Sequence, residues 1–329
     1  MSKKCVLILL DGLGDRSYKE LGNLTPLQAA ETPVLDRLAT AGANGLYHAG
    51  LQGQALPSEN AHFVMFGYDM ADFPGRGALE ALGAGIELSH QDVAILSHFV
   101  SLREAQGCLI LDDDKLKASE AEAAALIQAV RTYEQNGVTA CFIQTKGLFG
   151  VIRLQGNVSP FITDTDPIVK NSPLIAVKTW KNHADDPSSR NSADALRAYL
   201  LRAWKRLEAH PVNAERIRRG EKIINGLVTQ RAGQLKPMTP FSEKYGLRGL
   251  SVSSGIIYWG LCRYVGIECE KVKDSDDPGR DIAERMAIAR KALKDYDFIH
   301  VHSKAPDEAG HSKDPLYKKR VIDMLDKGI

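Results

Sequence analysis

The chain has 329 residues, 44% hydrophobic and 25% charged, with a formal net charge of +1. That balance excludes a disordered polar chain and gives no global field for nucleic acid or a membrane surface. The length is enough for two domains, or for one elaborated one, with a sizeable core. Cys5, Cys108, Cys141, Cys262 and Cys269 form no CxxC pair and are odd in number. They read as small apolar residues of a reducing compartment. The apolar run Val6 to Leu10 is far too short to span a bilayer, and no secretory signal is present, so the expected location is cytoplasmic. The basic clusters Arg216-Ile217-Arg218-Arg219 and Lys318-Lys319-Arg320 read as solvated helix faces.

In chain order, Lys4 to Leu10 predicts a buried parallel strand, apolar on both faces. It ends at Asp11-Gly12-Leu13-Gly14-Asp15. Ligands of open α/β sheets gather at the carboxyl ends of strands, so Asp11 stands where chemistry is expected. The two glycines lack the third glycine and the following helix of a dinucleotide fingerprint. Thr32-Pro33 predicts a capped helix start, Val34, Leu35 and Leu38 its apolar face and Gly42 its stop. Gly45-Leu46-Tyr47 is expected to begin a second strand.

Ser58 follows Pro57 and precedes an apolar run of helical length. A serine at a helix N-terminus lies where backbone N–H groups and the helix dipole favour an anion. The plainer reading is an N-cap and nothing more. Gly75-Arg76-Gly77 and Gly83-Ala84-Gly85 bracket a short helix containing Glu80. Ser119-Glu120-Ala121-Glu122 is a capping box before a helix running to Val130. Val138 to Gln144 and Gly150 to Leu154 predict strands, and Asp164-Thr165-Asp166-Pro167 a loop. Lys181 to Arg190 reads as a linker. A helix is expected from Ser192 to Glu208, with Leu196, Tyr199, Leu200, Ala203 and Leu207 on one face. Ile223 to Thr229 and Gly249 to Ser253 return to the buried-strand pattern of the first domain. Ile256 to Val265 and Ile282 to Leu293 predict helices, and Asp297 to His302 the last strand.

Strands alternating with helices imply an α/β fold, a mostly parallel sheet with helices on both faces. The expected domains are a core over 1–95, an inserted α/β subdomain over 96–189 and the rest of the core over 190–329. The last strand breaks at Pro306 and delivers Asp307 and His311 four residues apart. A carboxylate and an imidazole just past a strand end suit a divalent ion such as Mn²⁺, Zn²⁺ or Mg²⁺. The alternative is a helix-capping aspartate and a surface histidine.

Taken together, these stretches resemble the archaeal type of cofactor-independent phosphoglycerate mutase, within the alkaline phosphatase superfamily. The resemblance rests on the Asp11 to Asp15 turn, Thr25-Pro26-Leu27, Thr32 to Asp36, Pro57-Ser58, Gly67-Tyr68-Asp69 and Gly75-Arg76-Gly77. Asp164 to Pro167, Phe241 to Gly246 and Lys304 to His311 continue it in the same order along nearly the whole chain. It implies an alkaline-phosphatase-like core in which Ser58 is the nucleophile and becomes phosphoserine. Ser58 and Asp11 are then expected to hold one divalent ion, and Asp307 and His311 another, with Mn²⁺ first and Mg²⁺, Zn²⁺ or Co²⁺ as alternatives. Lys244 and Arg231 in the core, and Arg76, are expected to meet substrate anions, with Asp166 holding glycerate hydroxyls from the inserted subdomain. For each of these four the alternative is a surface salt bridge. His300 and His302, at alternating strand positions, are expected to point away from the metal ligands.

The expected partner is a small phosphorylated metabolite, with neither nucleic acid nor membrane, and association between copies left open. The expected activity interconverts 3- and 2-phosphoglycerate. A metal-dependent phosphatase on the same scaffold is the alternative, as is a non-catalytic homologue that binds a phosphorylated metabolite or a protein. The family pattern has an arginine near Phe149 and a histidine at Ile168. It also continues past Ile329 to an Asp-His pair and a further histidine, so a truncated or incompletely represented chain is expected, with a naturally shortened homologue as the alternative.

Overall fold

A computed structural model describes residues 4–329. Ten strands appear in chain order: β1 Cys5–Leu10, β2 Val93–Ala105, β3 Cys108–Asp113, β4 Thr132–Gln135, β5 Val138–Lys146, β6 Phe149–Gln155, β7 Gly226–Gln234, β8 Gly249–Ser253, β9 Glu268–Lys271 and β10 Phe298–Ser303. The helices of the first half are α1 Pro26–Ala29, α2 Pro33–Ala41, α3 Ser58–Met65, α4 Arg76–Gly83 and α5 Glu120–Val130. Those of the second are α6 Pro187–Glu208, α7 Pro211–Arg218, α8 Phe241–Tyr245, α9 Ile256–Val265, α10 Pro278–Ala292, α11 Ala305–His311 and α12 Pro315–Gly328.

The chain divides into two compact units, Met1–Phe73 with Met238–Ile329, and Pro74–Pro237. The first holds a parallel sheet in the order β1-β10-β8-β9. Ile299 and Val301 of β10 pack with Ile282 and Ala289 of α10 and Val321 and Leu325 of α12. β1 differs from its expected burial on both faces: Cys5 and Val6 are exposed and the rest of the strand is half-buried. Among the described residues β1 pairs only with β10, so it is an edge strand. α2 forms over the expected residues, but Thr32 does not cap it; its hydroxyl donates to Asp36. The buried carboxylate of Asp326 in α12 accepts instead from the N–H groups of Val34 and Leu35, at 3.1 and 2.8 Å. A cap supplied from a helix some 290 positions away leaves no local signature. No strand starts at Gly45-Leu46-Tyr47, where Leu46 is exposed and the backbone is irregular.

The second unit is built on an antiparallel sheet in the order β3-β2-β6-β5-β4, with β7 against the other side of β2. α6 covers this sheet, burying Leu196, Tyr199, Ala203 and Leu207 in a core with Phe99, Phe142 and Ile152. The capping box of α5 is present as expected, with both reciprocal hydrogen bonds. Three expectations are corrected here. The second unit is wider than 96–189, because β7 and α6 complete its sheet and its core. Residues 181–190 are a 3₁₀ turn and the start of α6 rather than a linker, with Asp186 capping the helix. β7 does not rejoin the parallel sheet: Asn225 just before it accepts from Leu102 N–H at 2.7 Å and donates to Leu102 O at 2.9 Å, fixing it to β2.

Candidate functional site at the carboxyl end of the parallel sheet

The parallel register sets Leu9 against His302 and Leu10 against Ser303, so β1 and β10 end level. Asp11 follows β1 directly, and its N–H donates to Ser303 O at 2.9 Å. Gly12 then turns with φ +75°, and a Cβ there would lie 2.4 Å from Asp307 Cα. Only glycine accommodates both the left-handed backbone and that approach. The requirement for glycine here thus explains how the Asp11 and Asp307 loops, nearly 300 residues apart, come into contact.

Ser58 is the first residue of α3, after Pro57 in extended conformation. It lies close enough to Asp11 and to Tyr258 of α9 to lower the pKa of each. His62, one turn on, donates from Nδ1 to Ser58 O at 2.7 Å; a carbonyl only accepts, so this nitrogen carries the proton. The other ring nitrogen of His62 is buried and unpaired, and burial first, then neighbouring His302, lowers the imidazole pKa to about 4. His62 is therefore neutral near pH 7.

His302 Nε2 lies 3.9 Å from Asp11 Oδ2. Neither of these atoms, nor His302 Nδ1, has a hydrogen-bond partner. Asp11 is held at about 2, by His302 first and the Ser58 hydroxyl next, against the opposing effect of burial. The carboxylate is thus ionised at any ordinary pH. Burial keeps His302 and the fully enclosed His300 neutral. The expectation that these histidines point away is overturned for His302. Period-two alternation keeps His300 and His302 on one face of β10. Leu9 opposes His302 and Asp11 lies two residues beyond Leu9, so Asp11 shares that face.

Asp307 and His311 lie one turn apart in α11, with His311 Nε2 3.6 Å from Asp307 Oδ2 and the imidazole largely exposed. Lys304 Nζ is 3.6 Å from the same oxygen. An ionised, partly buried carboxylate beside a hydroxyl is a donor set for a hard divalent ion. Asp307 with His311 offers a second oxygen and a nitrogen. Each pair supplies two donors; among the described residues no group of three His, Cys, Asp or Glu side chains is placed to hold a metal ion.

The remaining sequence candidates lie elsewhere. Lys244 donates to Gly67 O at 2.7 Å and sits over the Tyr68 ring at 4.4 Å. Gly67 follows the far end of α3, so Lys244 is about 13 Å along the helix from Ser58 at 1.5 Å per residue. Arg231 belongs to the second unit rather than to the core; its N–H donates to Asp164 at 2.6 Å with φ +54°. Asp166, also there, is buried and already engaged by Ile168 N–H and Gln230 Nε2, both at 2.7 Å, with His98 Nε2 4.0 Å away. Arg76 pairs with Glu80 at 2.5 Å, in a recess of the second unit lined also by His98, Phe149 and Gln230. Phe149 stacks on His98, centroids 5.3 Å apart, and Ile168 is exposed.

Sequence reasoning missed Tyr258, His62, His302 and Lys304. The spacing of His62 from Ser58, one helical turn, was the one available signal; nothing local in α9 points to Tyr258.

The family described as 2,3-bisphosphoglycerate-independent phosphoglycerate mutase matches residues 39–213. The chain is 34% identical to 2,3-bisphosphoglycerate-independent phosphoglycerate mutase 2 of Methanocaldococcus jannaschii, covering 98% of this chain and 75% of that protein. It is 35% identical to the 2,3-bisphosphoglycerate-independent phosphoglycerate mutase of Methanopyrus kandleri, covering 99% and 78%. Among solved structures, the cofactor-independent phosphoglycerate mutase from Thermoplasma acidophilum superposes with a TM-score of 0.68 at 28% identity, over 99% of this chain and 82% of that one. A Pyrococcus horikoshii protein does so with 0.76 at 29%, over 100% and 77%.

Proposed function

The chain belongs to the 2,3-bisphosphoglycerate-independent phosphoglycerate mutase family, and from that premise we propose that it interconverts 3- and 2-phosphoglycerate through phospho-Ser58. The observation that carries this reading is the position of Ser58: first in α3 and close enough to Asp11, at the carboxyl end of β1, to help hold that carboxyl low. The start of α3 presents backbone N–H groups to an incoming phosphoryl oxygen. A serine hydroxyl is a weak nucleophile near pH 7 and needs activation. Asp11 with Ser58, and Asp307 with His311, are the residues that would hold divalent ions, Mn²⁺ first. Such ions supply nucleophile activation and neutralise charge on the transferring phosphoryl group.

The residues of the chain have assignable parts. Burial holds the Tyr258 phenol in its neutral form, so it can donate a hydrogen bond to the Ser58 oxygen or to a phosphoryl oxygen bonded to it. Asp11 stays ionised, as a metal ligand requires. Lys304, 3.6 Å from Asp307, offers an ammonium group beside these ligands to meet substrate charge.

A phosphatase is the second reading, favoured by one observation. In the second unit, Phe149 stacks on His98 and Ile168 is exposed where the family pattern has an arginine and a histidine. Fewer polar contacts would retain glycerate less well during the transfer. The experiment supplies 3-phosphoglycerate with Mn²⁺ and follows 2-phosphoglycerate and inorganic phosphate, with Ser58→Ala as control. Isomer without phosphate, dependent on Ser58, supports the mutase; phosphate without isomer replaces it by the hydrolase; neither product removes both.

A further inference from the structure

His302 is fully buried, yet both its ring nitrogens lack a hydrogen-bond partner. Leaving a buried polar atom unpaired is destabilising, and apolar side chains would fill the same volume without that cost. The ring is held in a fixed orientation. His62 meets it edge-on with centroids 4.8 Å apart, Tyr258 lies at 4.2 Å and His300 stacks at 5.8 Å. His302 O accepts from the buried guanidinium of Arg285 at 2.5 Å, which fixes the backbone beneath it. Asp11 Oδ2 lies 3.9 Å from His302 Nε2 and is itself unpaired.

We infer that His302 is a positioning residue for Asp11: its Nε2–H donates to Oδ2 and turns the other carboxylate oxygen toward the ion shared with Ser58. This rests on the reading that Asp11 and Ser58 hold a divalent ion. Ligating carboxylates are generally hydrogen-bonded from behind, and loss of such a partner lowers metal affinity about 10–100-fold. The 3.9 Å gap needs only a small rotation of the carboxylate to become a hydrogen bond, and the negative oxygen selects the tautomer with its proton on Nε2. His300 cannot substitute. Its Nδ1 is engaged with Ser251 at 3.0 Å, and it lies two residues further from the strand end.

The test titrates the protein with Mn²⁺ and reads free Mn²⁺ by electron paramagnetic resonance, alongside thermal melting without metal. His302→Phe keeps the ring volume and removes the donor; His302→Gln restores an N–H near the Nε2 position; His300→Phe controls for the buried cluster. The expected result is a 10–100-fold weaker Mn²⁺ affinity in His302→Phe, recovery in His302→Gln and little change in His300→Phe. Wild-type affinity in a folded His302→Phe overturns the inference and leaves the proposed function standing. Equal losses in the Phe and Gln variants reduce the residue to a packing role and overturn it also. If His302→Phe does not fold, His302→Met, which also lacks the donor, takes its place: wild-type affinity in the folded Met variant overturns the inference, and a tenfold or greater loss recovered in His302→Gln supports it. No Mn²⁺ binding by the wild-type protein overturns the metal reading and this inference together.

Discussion

The two units bury polar groups in opposite ways. In the second, the deepest ones are paired with each other or with backbone. Asn225 closes both of its bonds to Leu102, Asn213 bridges Leu207 O, Ile224 O and Ile224 N–H, and Thr165 faces Thr229 at 3.0 Å. Unpaired buried atoms occur there too, on Ser97, Asp114 and Arg153, but on separate side chains, in β2, just past β3 and in β6. In the first unit, Arg285 Nε on α10 aside, the unpaired atoms of Asp11, His62, His300 and His302 converge on one end of one sheet. Paired polar groups specify a fold, whereas converging unpaired ones are the mark of a site made for something else.

The largest expected effect that breaks this contrast is Ser58→Ala, with product formation falling at least about 10³-fold while melting changes little, since only a hydroxyl is lost. An active Ser58→Ala protein would remove the first unit's claim to the chemistry. Next, Gly12→Ala forces a Cβ against Asp307 at a left-handed position. It should destabilise by about 2–3 kcal/mol and weaken Mn²⁺ binding, as calorimetry and titration will show; unchanged binding would separate the two loops functionally. In the second unit, Asn225→Ala strands Leu102 N–H and O in the core. A loss of about 2–3 kcal/mol in denaturant melts is expected, with Mn²⁺ affinity unaltered. A binding defect there would erase the distinction between the units.

Smaller effects sharpen it. Asp326→Ala removes the cap of α2 and should cost about 1–2 kcal/mol, read by thermal melting. Glu122→Gln tests the capping box of α5 together with the ion pairs to Arg216 and Arg219. The Ser119 N–H first, then Arg219 and Arg216, lower the Glu122 carboxyl to about 2. A depressed acid contributes stability above its unfolded pKa and loses it as pH falls toward the folded one. The wild type should therefore exceed the variant by about 1 kcal/mol at pH 7, solvent screening keeping the value small. That advantage should fade between about pH 4.5 and 2. A difference independent of pH would show that charge plays no part.

Much of this was legible in the residues alone. Hydrophobic runs of strand length placed β1, β8 and β10, and glycine, proline and capping residues placed α3, α4, α5 and α9, because those signals act within a few residues. Asp11 and Ser58 stood out because one follows a strand and the other opens a helix, Asp307 and His311 because they lie four residues apart past a strand end, and their expected roles came from the family resemblance. What lay beyond local reach was decided by tertiary structure. Asp326 caps α2, β7 joins β2 rather than the parallel sheet, and the second unit runs from Pro74 to Pro237. The Lys244 ammonium holds Gly67 O, the Asp166 carboxylate accepts from Ile168 and Gln230, and the Arg231 backbone N–H donates to Asp164, partners that local sequence does not show. His302 shows the division most sharply. Its strand position was readable, but the face on which it meets Asp11 follows from the register between β1 and β10, which no local stretch encodes, because hydrogen bonds between strands nearly 300 residues apart set it.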